Sequence, residues 1–134
     1  MGTMPIICKR LRRGEDLLGA IQALAEEHQV RAGVVLSAVG CLSCLRVRDA
    51  SGVTIREVEE DVEIVSLTGT LSAKRTHLHI ACSREDLTCL GGHLVPGCVV
   101  NTTCELVVGV LSGWEMGVEQ DGETGYDEIV FMRD

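Results

Sequence analysis

From Ala32 to Leu111 the chain runs through one apolar, β-type stretch after another, separated by Gly, Pro and Asp turn signals. Only one segment carries convincing helical spacing. Leu17, Leu18, Ile21, Leu24 and Ala25 recur on one face, which predicts a single amphipathic helix ending near His28. Glu15 and Asp16 place negative charge where that helix begins. The predicted class is α+β: a mostly antiparallel sheet with one main helix, in a single domain spanning residues 1–134.

The expected strands are Met4–Leu11, Gly33–Val39 and, after Gly40, Leu42–Val47. Asp49-Ala50-Ser51-Gly52 is a turn, with Val53–Val58 returning from it. Asp61–Leu71 and Thr76–Cys82 read as an antiparallel pair joined around Ser72–Arg75. Val99–Leu111 and Tyr126–Met132 complete the set, with an acidic, Gly-rich loop expected over Ser112–Gly125.

Composition narrows the function. The apolar fraction of 46% and charged fraction of 24% exclude wholesale disorder. Trp114, Tyr126 and Phe131 are the only aromatics in the F/W/Y class, too few for a base-stacking surface. A formal charge of −8 disfavours a phosphate-tracking surface. No apolar run approaches a membrane span and no secretory signal opens the chain. Seven cysteines, an odd number without a disulfide framework, point to reduced thiols and a reducing compartment: the cytoplasm first, the nucleus second.

Three histidines carry the best chemical signal. Residues two apart on a strand share a face, so His77 and His79 present adjacent imidazoles. His93 follows the glycine pair Gly91-Gly92, where the backbone can turn to bring a third imidazole over. Three neutral imidazoles with an open position make a catalytic zinc set; two half-buried strand histidines and an unrelated loop histidine would give the same pattern. Cys41-Leu42-Ser43-Cys44 has no second pair at zinc-knuckle spacing and reads as core thiol. Lys9, Arg10, Arg12 and Arg13 are split by strand alternation and read as a solvated strand end with local ion pairs. Glu105, inside the apolar run Cys104–Val110, is expected to be costly to bury unless paired at an edge or interface. Trp114 and Tyr126 are read as core or loop anchors without chemistry.

Several stretches together resemble the plants-and-prokaryotes-conserved (PPC) domain. They are Gly14-Glu15-Asp16-Leu17, Leu36–Gly40, Val62–Gly69, His77-Leu78-His79, Gly91-Gly92-His93-Leu94 with Gly97, and Thr124–Glu128, in order along nearly the whole chain. The resemblance implies an α/β fold built on an antiparallel sheet and assembled as a homotrimer, similar in fold to acetolactate decarboxylase and some zinc ester hydrolases. Those proteins hold their metal by H-x-H and a later His, the order of His77, His79 and His93. It therefore implies a divalent-metal site, zinc first, with a small-molecule ligand at the metal.

By fold analogy alone the reaction class would be a zinc-dependent hydrolase or lyase step. Glu105 or Glu63 would then carry protons and Arg75 would clamp an anion. Members are often labelled predicted DNA-binding proteins, so a DNA-binding or transcription-associated regulator is the rival reading. The AT-hook that plant members use for DNA is missing: Arg12-Arg13-Gly14-Glu15 lacks its proline and second arginine. Weak or absent DNA binding is the expectation.

Overall fold

The structure, a computed structural model, describes residues 3–134. Nine strands and one helix follow in the order β1 (Ile6–Arg12), α1 (Leu17–Glu27), β2 (Gly33–Arg48), β3 (Ile55–Val58), β4 (Val62–Leu71), β5 (Thr76–Ser83), β6 (Cys89–Leu94), β7 (Val99–Val110), β8 (Trp114–Gln120) and β9 (Asp127–Arg133). Strands β1 to β7 form one sheet, and β8 with β9 forms a separate hairpin. Every pairing among the described strands is antiparallel.

Strand β2 organises the sheet. Along Gly33–Cys44 it lies between β7 and β4, and along Leu45–Arg48 between β6 and β3. Because β4 pairs with β5, β5 with β6, and β6 returns to β2, the four strands close a circuit of hydrogen bonds. Irregularities between Val35 and Ser37, Gly40 and Cys41, and Leu42 and Cys44 let so long a strand serve different neighbours. Two shorter strands broken at Gly40 were expected. Gly40 stays inside β2 because a side chain there would meet the Thr103 carbonyl oxygen at 2.2 Å, so glycine admits β7 rather than ending the strand.

Alternation divides the sheet cleanly. Leu42, Leu45, Leu71, Leu78, Val100 and Leu106 point inward and are fully buried. Helix α1 closes that core with Leu17, Ile21 and Leu24. Full burial of each such side chain contributes about 1.5–3 kcal/mol. Asp16 caps the helix, Oδ2 accepting from the Gly19 N–H at 2.8 Å, while its Oδ1 accepts from the Gly97 N–H at 2.7 Å. One carboxylate thus starts the helix and fixes the Pro96-Gly97 turn.

Two segments differ from expectation. Residues 89–94 are a strand, so Gly91-Gly92 is not a turn. The acidic stretch after Ser112 contains β8, whose Met116 is buried and donates its N–H to the Arg31 carbonyl at 3.0 Å. Arg31 binds Glu115 and, at 2.8 Å, Asp134, tying both ends of the hairpin to the start of β2. Arg133 lies 4.8 Å above the Trp114 ring. These tertiary contacts override a glycine-rich, acidic local composition. No helix among the described residues is long and apolar enough to cross a membrane.

Candidate metal centre

His77 and His79 leave β5 on the outer face of the sheet, opposite Thr70 and Thr68 of β4. His93 on β6 stands directly opposite His79, and Arg48 on β2 directly opposite His93. Ile55 of β3 extends the line, so Ile55, Arg48, His93, His79 and Thr68 form one cross-strand row over five strands. His77 sits one step along β5 from that row. The His77–His79, His77–His93 and His79–His93 ring centroids are 5.2, 5.7 and 5.6 Å apart. One donor nitrogen from each imidazole lies within 4.8 Å of the others.

Glycine makes this approach feasible. A Cβ on Gly91 would meet the Ile80 carbonyl oxygen at 2.0 Å, and one on Gly92 the Arg48 carbonyl oxygen at 2.6 Å. The pair therefore brings β6 against both β5 and β2, setting His93 between His79 and Arg48.

Burial lowers the pKa of His77 from the ordinary imidazole value of 6.5, with the neighbouring His79 and Arg75 adding to the effect. His93 is lowered too, by burial first and then by Arg48 and the other two imidazoles. Both shifts favour the neutral ring, the form that ligates. His93 Nδ1 is buried without a hydrogen-bond partner, as is Arg48 Nε. Zinc–imidazole bonds of about 2.0–2.1 Å in tetrahedral geometry set nitrogens roughly 3.4 Å apart, and the three donor nitrogens here lie within 4.8 Å of one another. The residues fit a three-nitrogen site for zinc or another divalent ion.

A cavity of about 430 Å³ adjoins the cluster. Arg48, Arg75, Thr76, His77 and His93 form one wall, and Tyr126 to Ile129, at the start of β9, form the other. Arg75 Nη2 donates to the Asp127 carbonyl at 2.9 Å and so joins the two walls. Arg75, the expected anion clamp, lines this cavity together with Arg48, for which no role was expected, and Tyr126, expected only as an anchor. Arg48 has no motif, and only the β2–β6 register brings it to His93.

The two glutamates lie elsewhere. Glu63 is opposite Ser83, four residues along β5 from His79, about 13 Å at strand spacing. It lines a second cavity with Asp61, Arg84 and Asn101. Glu105 is exposed rather than buried, and β7 is an interior strand rather than an edge. Its neighbours Cys104 and Leu106 take the core side, which leaves Glu105 on the outer face between Arg10 and Val39. Lys9, Arg10, Arg12 and Arg13 are all exposed, and none joins the ion pairs among the described residues. Glu15 instead accepts from the Arg12 backbone N–H at 2.6 Å.

All seven cysteines are free. Burial raises the thiol pKa of Cys82 to about 12 and of Cys98 and Cys104 to about 11, making those three inert core fillers. Cys41 and Cys44 are only half-buried: the first donates to the Asn101 carbonyl at 3.0 Å and the second faces Glu57.

Fold and site together define a small α+β domain that presents three convergent imidazoles on the outside of a closed antiparallel sheet. The chain belongs to the Plants and Prokaryotes Conserved (PCC) domain family, which matches residues 1–112. A Salmonella protein of 32% identity, described as hypothetical, superposes with a TM-score of 0.95 over 99% of this chain and 96% of its own. A presumed DNA-binding protein of Bacteroides thetaiotaomicron shares the fold at 22% identity and TM-score 0.83, with 96% of both chains covered. The metal-containing protein AF0104 of Archaeoglobus fulgidus matches at 26% identity and TM-score 0.78, over 97% of this chain and 99% of its own. Among curated relatives, a bifunctional protein GlmU of Synechococcus is 37% identical over 96% of the chain. A second Synechococcus GlmU is 35% identical. The chain spans about a fifth of the length of these two relatives.

Proposed function

We propose that this PCC-domain chain is a metal-holding protein in which His77, His79 and His93 bind one divalent ion, zinc first, beside a small-molecule cavity. The observation that carries this reading is the convergence of three donor nitrogens, one of them on a ring with a buried, unpartnered Nδ1. The Archaeoglobus neighbour is itself described as metal-containing, which supports it further. When bound, such an ion supplies Lewis acidity. The reaction class suited to the site is a zinc-dependent hydrolase or lyase step, with Arg75 available to an anionic group at the cavity wall. Within one chain, Glu63 and Glu105 stand too far along the sheet to serve it.

The assembly that goes with this reading is a homotrimer. Ile6, Leu36, Val39 and Val65 are exposed on the outer face that also carries the histidines, an apolar surface a neighbouring copy would cover. The two longer Synechococcus relatives support a unit that also occurs within a larger chain.

DNA binding is the second reading. The exposed Lys9, Arg10, Arg12 and Arg13 and the DNA-binding description of the Bacteroides neighbour favour it, set against a charge of −8 and against Glu105 standing opposite Arg10.

Elemental analysis of protein purified without a His-tag or chelating resin tests the proposal. About one zinc or similar ion per chain is expected. His79→Ala should weaken its binding at least tenfold to a hundredfold, the scale on which even outer-shell changes act. Folded, metal-free protein from two independent preparations would overturn it.

A further inference from the structure

The histidines do not account for the whole of the cavity beside them. Arg48 reaches the same row through the β2–β6 register, and its Nε is buried without any hydrogen-bond partner. A guanidinium is always charged in proteins, and leaving one of its donors buried and unmade is costly. Two carboxylate residues, Asp127 and Glu128, belong to the cavity wall itself, and among the described residues no ion pair joins either to Arg48. Glu128 accepts from Thr124 Oγ1 at 3.2 Å, and Asp127 is exposed, with its backbone carbonyl taken by Arg75. None of the ion pairs in the described residues includes Arg48. The chain therefore places in the wall of a cavity of about 430 Å³ a guanidinium that no ion pair among the described residues neutralises, and that volume suits a small molecule rather than a macromolecule.

We propose that Arg48 receives the carboxylate or phosphoryl group of a small anionic ligand bound in the cavity between the three histidines and residues 126–129. An oxyanion is the partner that a guanidinium fork matches best, because two parallel N–H donors meet two oxygens. The site takes its ligand class from Arg48, with Arg75 as a second, partly committed donor. The outer wall comes from Tyr126–Ile129 at the start of β9, so this hairpin bounds the ligand admitted. The proposal deepens the metal-site reading and rests on it for the ligand's place beside the ion.

The test is calorimetric titration of the full chain, zinc-loaded and metal-free, with inorganic phosphate and separately with malonate. Zinc content is measured on every sample. Saturable binding of at least one anion at one site per chain is expected, weakened tenfold or more in Arg48→Met while zinc content stays at the wild-type level. Arg48→Lys keeps the charge and the stem but lacks the fork, so it should fold even if Arg48→Met does not, and should also lose affinity several-fold. Preference for phosphate or for malonate tells which oxyanion the site takes. Absence of saturable binding of either anion, or affinity unchanged in the Arg48 variants, overturns the proposal. Absence of zinc from wild-type protein contradicts the metal site instead, and the metal-free titrations then decide the role of Arg48 by the same criterion.

Discussion

His79 and His93 are direct register partners across β5 and β6, their ring centroids 5.6 Å apart. The pairing converts two distant sequence positions into neighbours on one face, and His77 joins them because it lies two residues from His79. The cluster is thus fixed by backbone hydrogen bonds rather than by a loop, the more accurate way to hold a ligand set. Its formation depends on how closely β6 approaches β5.

Gly91→Ala tests that dependence. The new methyl would meet the Ile80 carbonyl oxygen at 2.0 Å and the Ala81 Cα at 2.8 Å, so β6 must move away from β5. We expect a stability loss of about 1–3 kcal/mol in urea titration, the usual cost of overpacking, together with reduced zinc content. Gly122→Ala, with nothing within 4 Å, should leave both unchanged. Wild-type behaviour of Gly91→Ala would contradict the tight strand approach.

Acid should release the metal. His77 and His93 are both held below the ordinary value of 6.5, so protons begin to compete only under that value. Zinc affinity, measured against a chromophoric chelator, should be nearly level between pH 8 and 7 and fall below about pH 6.5, by up to tenfold per unit for each imidazole protonated. In metal-free protein the sign is the same. The depressed folded values make these groups' contribution to stability fully present above 6.5, and it is lost as pH falls through the folded values. A tenfold drop in zinc affinity already between pH 8 and 7 would contradict this.

Assembly should respond to the outer face. Light scattering at micromolar concentration should give a mass near three chains, and Val39→Asp, which charges a residue 57% exposed in the single chain, should dissociate it. Glu105→Leu should alter assembly more than Glu26→Gln on the exposed side of α1, because Glu105 sits beside Val39 on the face to be covered. A stable monomer of 14.4 kDa contradicts the trimer.

Duplex DNA should bind weakly. With a charge of −8, fluorescence anisotropy at physiological salt should give a Kd no tighter than about 10⁻⁵ M, without sequence preference. A nanomolar, sequence-dependent complex would favour the regulatory reading and make Arg10 and Arg12 the first residues to replace.

The helix, the mostly antiparallel sheet and the H-x-H face were legible because each rests on a local period. Leu17, Ile21 and Leu24 repeat at helical spacing, and His77 and His79 at strand spacing. What escaped depends on register. Arg48 lies 45 positions from His93 in a run where it looks like any outward-facing strand residue, and only β2–β6 pairing gives it a role. Gly91-Gly92 looked like a turn because glycine's tolerance of close backbone approach reads the same in sequence as its freedom to bend. Glu105 was expected at an edge or interface because the apolar residues around it read as one buried run, whereas they serve two faces, Leu106 the core and Val107 the outer side. Strand β8 was hidden by an acidic, glycine-containing composition whose order comes from contacts with Arg31.

The most direct measurement is anomalous diffraction from crystals of natively purified protein, recorded on both sides of the zinc absorption edge. A single peak per chain, about 2.0–2.1 Å from one nitrogen each of His77, His79 and His93, is the predicted result. Ordered imidazoles with no peak among them, in crystals grown from protein supplied with zinc, would contradict the metal centre.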